Sequence, residues 1–317
     1  MLQTLAITGP IYLLIALGYV ACRLKVFTKG DMRVLGQYVV KFALPALIFT
    51  ALSQRPMIEI LNGRYVLDYA MGSLAVMGVA FAWGRFRQRK SMALSALSAL
   101  GMSGSNTGFI GYPVASQVIG PAAAAVGLAL CMVVENLIIT PLTLALADSS
   151  SAAGDKWHHV LGRSLAQLAR NPLILAILAG FAVALLRLPI GGVLARTTNM
   201  LAMSSTAVSL FVIGGSLVGL QTKGMRRDVS AISIGKLVLH PLAVGLMVWL
   251  LPPEDAALRA GAVVFASMPM FGIYPILAQK YGHESFCAAA LLLAVVLSFV
   301  TISITLWLLG PGLGWLP

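Results

Sequence analysis

The sequence predicts an all-helical integral membrane protein of about ten transmembrane helices, arranged as two inverted five-helix repeats. Three observations carry this. Charged residues are only 10% of the 317 residues and hydrophobic residues are 59%, with a mean hydropathy of +0.92. A soluble domain carries about 25% charge, so this chain could not cover a soluble surface of its size. Apolar runs recur along the whole length, each close to the roughly 20 residues that cross a bilayer. Helix breakers and aromatic residues in the first half return in the second at one fixed offset.

The runs fall at 5–22, 34–52, 65–84, 92–118, 122–146, 172–190, 196–220, 229–250, 257–279 and 285–309. Each is expected to be helical, because in lipid only helices and closed barrels satisfy the backbone. The short alternating segments of a barrel are absent. The first run has no basic stretch before it and no small-residue cleavage site after it, so it reads as a retained span.

Loop charge sets the orientation. Fifteen basic residues lie in the odd-to-even loops, among them Arg23, Lys25, Arg85, Arg87, Arg89, Lys90 and Lys280; five lie on the other side. The bias places the odd-to-even loops in the cytoplasm and both termini outside it. The expected location is a plasma membrane, crossed many times. The net charge of +12 is accounted for in this way. No basic stripe with interleaved aromatics points to nucleic acid.

The longest connection divides the chain into a first repeat (1–146), a cytoplasmic linker (147–171) and a second repeat (172–317). Within the linker, Trp157 to Arg170 reads as an amphipathic helix on the membrane surface. His158 and His159 read as solvated. Pro10, Gly18 and Tyr19 of span 1 match Pro172, Gly180 and Phe181 of span 6, each 162 residues on. The run Phe109-Ile110-Gly111-Tyr112-Pro113 of span 4 matches Phe271-Gly272-Ile273-Tyr274-Pro275 of span 9 at the same offset. Five spans per repeat is an odd number, so the second copy enters the membrane from the opposite side. Transporters commonly use that plan.

Spans 4 and 9 hold the most helix-breaking chemistry. Span 4 reads Gly101-Met102-Ser103-Gly104-Ser105-Asn106-Thr107-Gly108 before Pro113, and span 9 reads Ser267-Met268-Pro269-Met270-Phe271-Gly272 before Pro275. Proline removes a backbone donor and glycine weakens a helix interior. A broken helix exposes N–H groups at one end, which attract anions. Paired unwound segments in two halves are a pointer to a transport site. The candidate substrate-binding residues are Asn106, Thr107, Tyr112, Pro113, Met268, Pro269, Gly272, Tyr274 and Pro275.

Ionisable residues inside the spans form a second candidate group. Glu135 lies about 13 residues into span 5, roughly 20 Å deep, and Asn136 follows it. A buried carboxylate is a functional candidate by default, here for a coupling H+ or Na+ or for charge pairing. Lys236 and His240 lie four apart on one face of span 8, before Pro241. Lys41 stands at a comparable depth in span 2, before Pro45. Two roles stay open for the lysines: snorkelling to the cytoplasmic face, or neutralising Glu135 or an anionic substrate. Cys22, Cys131 and Cys287 have no metal or disulfide spacing. No Walker loop, zinc-protease motif or Ser/His/Asp set appears, so no cofactor, metal or enzymatic activity is expected. The Gly214-Gly215-Ser216 run fits close helix packing.

Several stretches together carry a family resemblance. They are Leu44-Pro45-Ala46-Leu47-Ile48-Phe49, Asn106-Thr107-Gly108-Phe109-Ile110-Gly111-Tyr112-Pro113, Glu135-Asn136, Phe211-Val212-Ile213-Gly214-Gly215-Ser216-Leu217, Lys236-Leu237-Val238-Leu239-His240-Pro241, Met268-Pro269 and Leu277-Ala278-Gln279-Lys280-Tyr281-Gly282. In this order and spacing the chain resembles, over essentially its whole length, the bacterial branch of the auxin efflux carrier family of membrane permeases. The resemblance implies a fold shared with bile-acid sodium symporter-like proteins, in which helices 4 and 9 cross at their breaks between a scaffold part and a moving part. It implies carriage of organic anions such as malonate, malate or other carboxylates. It places the crossing at Asn106 and Pro113 and at residues 269–275. Many relatives have Asn four residues after the span-9 Met-Pro proline, where Ile273 stands here, so the second half offers no equivalent polar contact. Glu135 and Asn136 have no polar counterpart in span 10.

The expected function is a secondary carrier of a small organic anion, a mono- or dicarboxylate, working by alternating access. The alternatives are a cation-coupled carrier of another solute, and a membrane sensor or channel. Lipid is an expected partner, and a homodimer stays open.

Overall fold

The computed structural model describes residues 2–53, 62–149, 170–219 and 226–312, all helices and their connections, with no strand among them. The helices are α1 (Leu2–Arg23), α2 (Lys29–Ser53), α3 (Gly63–Arg87), α4 (Met92–Ser103), α5 (107–118), α6 (Pro121–Asp148), α7 (Pro172–Leu186), α8 (Gly192–Ser216), α9 (226–250), α10 (Ala256–Ala266), α11 (Tyr274–Gln279) and α12 (Glu284–Trp307). Among the described residues α2, α3, α6, α8, α9 and α12 are long and apolar enough to cross a membrane. The apolar α7 and α10 are shorter. The chain is an integral, multi-pass membrane protein.

Short polar side chains set where several helices begin. Thr28 and Asp31 form a reciprocal capping box at α2, and Asn62, Ser91, Asn171 and Asp255 accept from the first turns of α3, α4, α7 and α10. Such caps satisfy donors that the helix itself leaves free.

Four π-turns among the described residues precede a proline, and their position follows from the sequence. The turns are Val39–Ala43, Thr107–Gly111, Glu135–Ile139 and Gly235–Leu239. Each ends two residues before a proline: Pro45, Pro113, Pro141 and Pro241. Proline lacks an N–H, and its ring crowds the carbonyl one turn back. One extra residue in the turn moves that carbonyl aside and lets the ladder continue as i→i+5.

The packing makes two bundles. In the first, α1 lies along α8, α7 along α2, and α8 along α2. The α1–α8 contact is backbone to backbone: a Cβ on Gly18 would enter the Phe211 carbonyl, and one on Gly214 would enter that of Ile15. In the second bundle, α3 packs on α4 and α9, α4 on α6, α6 on α10, α9 on α10 and α12, and α11 on α12. Contacts of α2 with α6, α8 with the start of α5, and α1 with α12 join the two.

The expected spans 4 and 9 are each broken. Residues 104–106 separate α4 from α5, and residues 267–273 separate α10 from α11. The breaks meet, with the Asn106 N–H donating to the Pro269 carbonyl at 2.7 Å. Gly104 makes the approach feasible, because a Cβ there would occupy the Phe271 ring. The α6 helix runs to Asp148, two residues past the expected boundary at 146. Of the expected linker, only 147–149 and 170–171 are described, so the amphipathic helix and the His pair expected there lie outside the described residues.

Candidate functional site

The centre of the second bundle holds a buried polar network, built where the two breaks cross. Tyr69 and Ser73 come from one face of α3, four residues apart. Ser105 and Asn106 come from the first break and Thr107 opens α5. Glu135 starts the π-turn of α6. Lys236 lies in the π-turn of α9 and His240 follows it. All eight side chains are buried, Lys236 and His240 completely.

Glu135 faces donors. Its Oε1 accepts from the Ser105 N–H at 3.0 Å and from the Tyr69 hydroxyl at 3.0 Å, and its Oε2 accepts from the Thr107 hydroxyl at 3.1 Å. The Tyr69 hydroxyl also lies 3.1 Å from Ser105 Oγ. The carboxylate therefore caps the N-terminal end of α5, where the helix dipole favours negative charge.

Lys236 faces acceptors. Its Nζ donates to Ser105 Oγ at 2.6 Å, to the Ala266 carbonyl at 2.9 Å and to His240 Nδ1. Three acceptors match the three protons of an ammonium. His240 Nδ1 also lies 3.1 Å from the Ala266 carbonyl, and its Nε2 is hydrogen-bonded to Ser73 Oγ at 2.8 Å. Ala266 is the last residue of α10, so the ammonium sits at the negative end of that half-helix. Ser105 joins the two charges: its N–H serves Glu135 and its Oγ serves Lys236. Buried charges are tolerable only when paired and hydrogen-bonded in this way.

Asn106 completes the crossing and leaves one group unmatched. Its Oδ1 accepts from the Phe109 N–H at 3.1 Å, as the cap of α5. That bond fixes which end of the amide is which. The Nδ2 donor, with the residue only 3% exposed, has no acceptor among the described residues. A buried unpaired donor costs about 1–3 kcal/mol, and such a group in a native site calls for a ligand or another explanation.

The structure gathers Asn106, Thr107, Glu135, Lys236 and His240, with Pro269 bonded to Asn106 through the backbone. It leaves other expected residues outside the network. Lys41 is exposed on α2. Asn136 is half-buried and donates back to the Met132 carbonyl at 2.8 Å. Gly272 is exposed, Pro275 half-buried, and Tyr112, Pro113 and Met268 are packed into the core. Tyr274 is fully buried and donates to the Leu97 carbonyl at 2.9 Å, tying α11 to α4. The snorkelling role does not hold for Lys236, whose ammonium has all its partners inside the bundle.

Sequence reasoning does not single out Tyr69, Ser73 or the Ala266 carbonyl. An aromatic and a serine on a helix face read as core, and a backbone acceptor has no residue type. Asp68 is also absent from the candidates, although an ionisable residue inside an apolar run is itself a signal. It is fully buried on α3, and neither carboxyl oxygen has a hydrogen-bond partner among the described residues. Among those residues no group of three or more His, Cys, Asp or Glu side chains is placed to hold a metal. A half-open cavity of about 250 Å³, lined by Thr50, Ser53, Leu188, Ile190, Ala195 and Thr198, lies in the first bundle, away from the network.

Comparison with known proteins points to membrane transport. Residues 8–308 match the family described as "Membrane transport protein". A protein of Rhizobium meliloti (strain 1021) named "Putative malonate transporter" is 30% identical over 312 residues, covering 96% of this chain and 97% of that one. "Uncharacterized transporter YfdV" of Escherichia coli (strain K12) is 26% identical over 303 residues, 94% of this chain and 95% of the relative. An "Uncharacterized transporter" of Methanothermobacter thermautotrophicus is 26% identical over 308 residues. The family, the relatives and the apolar helices with their crossed breaks lead to one conclusion: this chain belongs to the auxin efflux carrier family of membrane transport proteins.

Proposed function

We propose that the protein is a secondary carrier of a small organic anion, a mono- or dicarboxylate, working by alternating access around the crossing. The observation that carries this reading is the Asn106 amide. It is a buried donor whose orientation is fixed by its own cap and whose Nδ2 has no acceptor among the described residues. It stands at a half-helix N-terminus, next in sequence to Ser105, which accepts from the Lys236 ammonium. A carboxylate oxygen is the acceptor such a place suits. The relative named as a malonate transporter supports the same substrate class.

The architecture in this reading is ten transmembrane helices: α4 with α5 and α10 with α11 each count as one broken span. Residues 1–146 and 172–317 are the two inverted repeats about the 147–171 linker. Exchange of contacts between the halves supports it, because Gly18 of α1 packs on α8 while Gly180, 162 residues later, packs on Leu52 and Phe49 of α2. An inverted pair of bundles can rock about a central site. In this reading both termini lie outside the cytoplasm of a bacterial inner membrane, an orientation that the 15-to-5 loop charge bias supports.

The test is counterflow of labelled mono- and dicarboxylates in proteoliposomes. Saturable exchange of at least one, inhibited by unlabelled substrate, is the expected result. Exchange of none removes the anion reading.

A further inference from the structure

We propose that Glu135 is a tethered stand-in for the substrate carboxylate: protonation releases it from the crossing, the substrate anion takes its donors, and one proton and one carboxylate cross together. The inference rests on the carboxylate reading above and goes beyond it by assigning the coupling ion and the group that couples it.

The geometry comes first. The N-terminal end of α5 is the place in the crossing where an incoming carboxylate would find donors. In this structure the protein's own carboxylate is already there, holding the Ser105 N–H and the Thr107 hydroxyl. One buried ammonium, Lys236, stands on the far side of Ser105. Two carboxylates against one ammonium would leave an uncompensated buried charge, which is strongly unfavourable. Binding of substrate therefore competes with the ionised form of Glu135. Asn106 Nδ2 is a further donor at the same helix end, with no acceptor among the described residues.

The charge count then fixes the exchange. In the empty carrier Glu135 balances Lys236. A proton from water on the uptake side adds to a Glu135 oxygen, giving a neutral acid that can donate one hydrogen bond and accept others. The substrate carboxylate accepts from the vacated Ser105 and Thr107 donors and from Asn106 Nδ2, and now balances Lys236. Buried charge is unchanged, so the loaded centre can cross as the empty one does. On the other side the carboxylate leaves, Glu135 returns its proton to water, and its ionised form regains the donors.

The donor set selects the proton over sodium. All three groups around the Glu135 oxygens donate to them, and the Ser105 N–H cannot turn to coordinate a cation. A sodium site needs several converging oxygen acceptors. The other groups facing Glu135 fit a proton site: Tyr69 from α3, Cys131 on its own helix with Tyr65 beside it at 3.2 Å, and Lys236 with His240 from α9.

Linkage gives the readout. If protonation of Glu135 and binding of one carboxylate are coupled one to one, apparent affinity falls up to tenfold per pH unit as pH rises through the titration of Glu135. Affinity is read from counterflow in proteoliposomes at equal internal and external pH, for a carboxylate whose own ionisation is complete over the range. Proton entry is read with a trapped pH dye. The wild type is expected to show the slope and about one proton per carboxylate taken up, with no dependence on a sodium gradient. Glu135→Gln keeps the side-chain shape and removes the titration, so its affinity is expected to be flat with pH. Wild-type exchange that carries no protons, or that follows sodium, overturns the inference, and does so without any variant having to fold. An unchanged slope in Glu135→Gln overturns it as well. Either result leaves the carboxylate reading intact, whereas absence of counterflow in the wild type removes both together.

Discussion

The two helix breaks occupy matching places 162 residues apart and meet at one backbone hydrogen bond, yet they differ in chemistry. In the first break, Ser105, Asn106 and Thr107 are all buried and polar, and Ser105 links a carboxylate to an ammonium. In the second, Ser267 turns its hydroxyl back to the Val264 carbonyl at 2.7 Å, Met268 and Met270 are buried apolar groups, and Ile273 is exposed. The first break ends in a capped helix of twelve residues, the second in one of six. The two breaks thus differ in their side chains, and only the first carries polar groups that reach Glu135 and Lys236. The second break contributes backbone: the Pro269 carbonyl for Asn106 and the Ala266 carbonyl for Lys236.

The largest test of this asymmetry is the charge pair. Lys236→Ala leaves Glu135 buried with no ammonium, and such a loss costs about 3–5 kcal/mol. The expected result is a sharp fall in folded yield and in unfolding temperature in detergent. A double variant, Lys236→Met with Glu135→Leu, removes both charges in similar volume and is expected to recover most of the stability, because replacing a buried pair by apolar groups is often close to neutral. Recovery separates the pair's contribution to folding from its role in transport, which the double variant is expected to lose. If the two changes instead add, the charges do not act as a unit.

Close packing of the breaks is the next lever. Gly104→Ala puts a Cβ into the Phe271 ring, and overpacking of this kind costs about 1–3 kcal/mol. Phe271→Ala in the same chain makes the room, so the double variant should be more stable than Gly104→Ala alone. The measurement is a double-mutant cycle in unfolding temperature. Additive effects would show that the contact does not set the crossing.

How much of this was legible in the sequence depends on what kind of signal each part carries. The apolar runs, the breaks at 104–106 and 267–273, and the candidates Asn106, Thr107, Glu135, Lys236 and His240 are visible as composition and spacing, because lipid makes each polar or breaking residue conspicuous. The proline rule is legible as well. Lys41, Glu135 and Lys236 each stand four to six residues before a proline, and each falls in a π-turn. Which of these turns faces the crossing is decided by packing between helices, so Lys41 and Lys236 look alike in sequence and end up exposed and buried. Tyr69 and Ser73 come from a helix that carries no break. The Ala266 carbonyl becomes an acceptor only because α10 stops there. Tyr274 lies 162 residues after Tyr112, yet its hydroxyl is taken by the Leu97 carbonyl.

At the substrate, Asn106 and Ile273 are the contrasting positions. Asn106→Ala removes the unpaired donor and the α5 cap together. Loss of one charge-assisted hydrogen bond is worth about 1.5–3 kcal/mol, so apparent carboxylate affinity should fall roughly ten- to hundredfold by the same arithmetic. Asn106→Asp keeps the cap acceptor and replaces the donor with negative charge, and is expected to weaken carboxylate binding at least as much. Ile273→Asn adds a polar group to the second break and should change affinity less, since the donors already in place belong to the first. Affinities from counterflow competition check the order, and a larger effect at 273 would reverse the comparison.

The smallest expected effect compares two phenols. Tyr69→Phe removes a hydroxyl that donates to the Glu135 carboxylate at the first break, and Tyr274→Phe removes one that donates to the Leu97 carbonyl at the second. Both rings are fully buried, so lost packing is small and similar in the two variants. A hydrogen bond to a charged group contributes about 1.5–3 kcal/mol and a neutral one about 0.5–1.5 kcal/mol. The Tyr69 variant should therefore lose roughly twice the stability of the Tyr274 variant. The excess should vanish in a Glu135→Leu background, where no carboxylate remains to accept. Equal losses in the native background would mean that Glu135 holds no charge in the folded protein at the pH of the measurement, and the ratio of the two losses across pH then follows the proton on and off the first break.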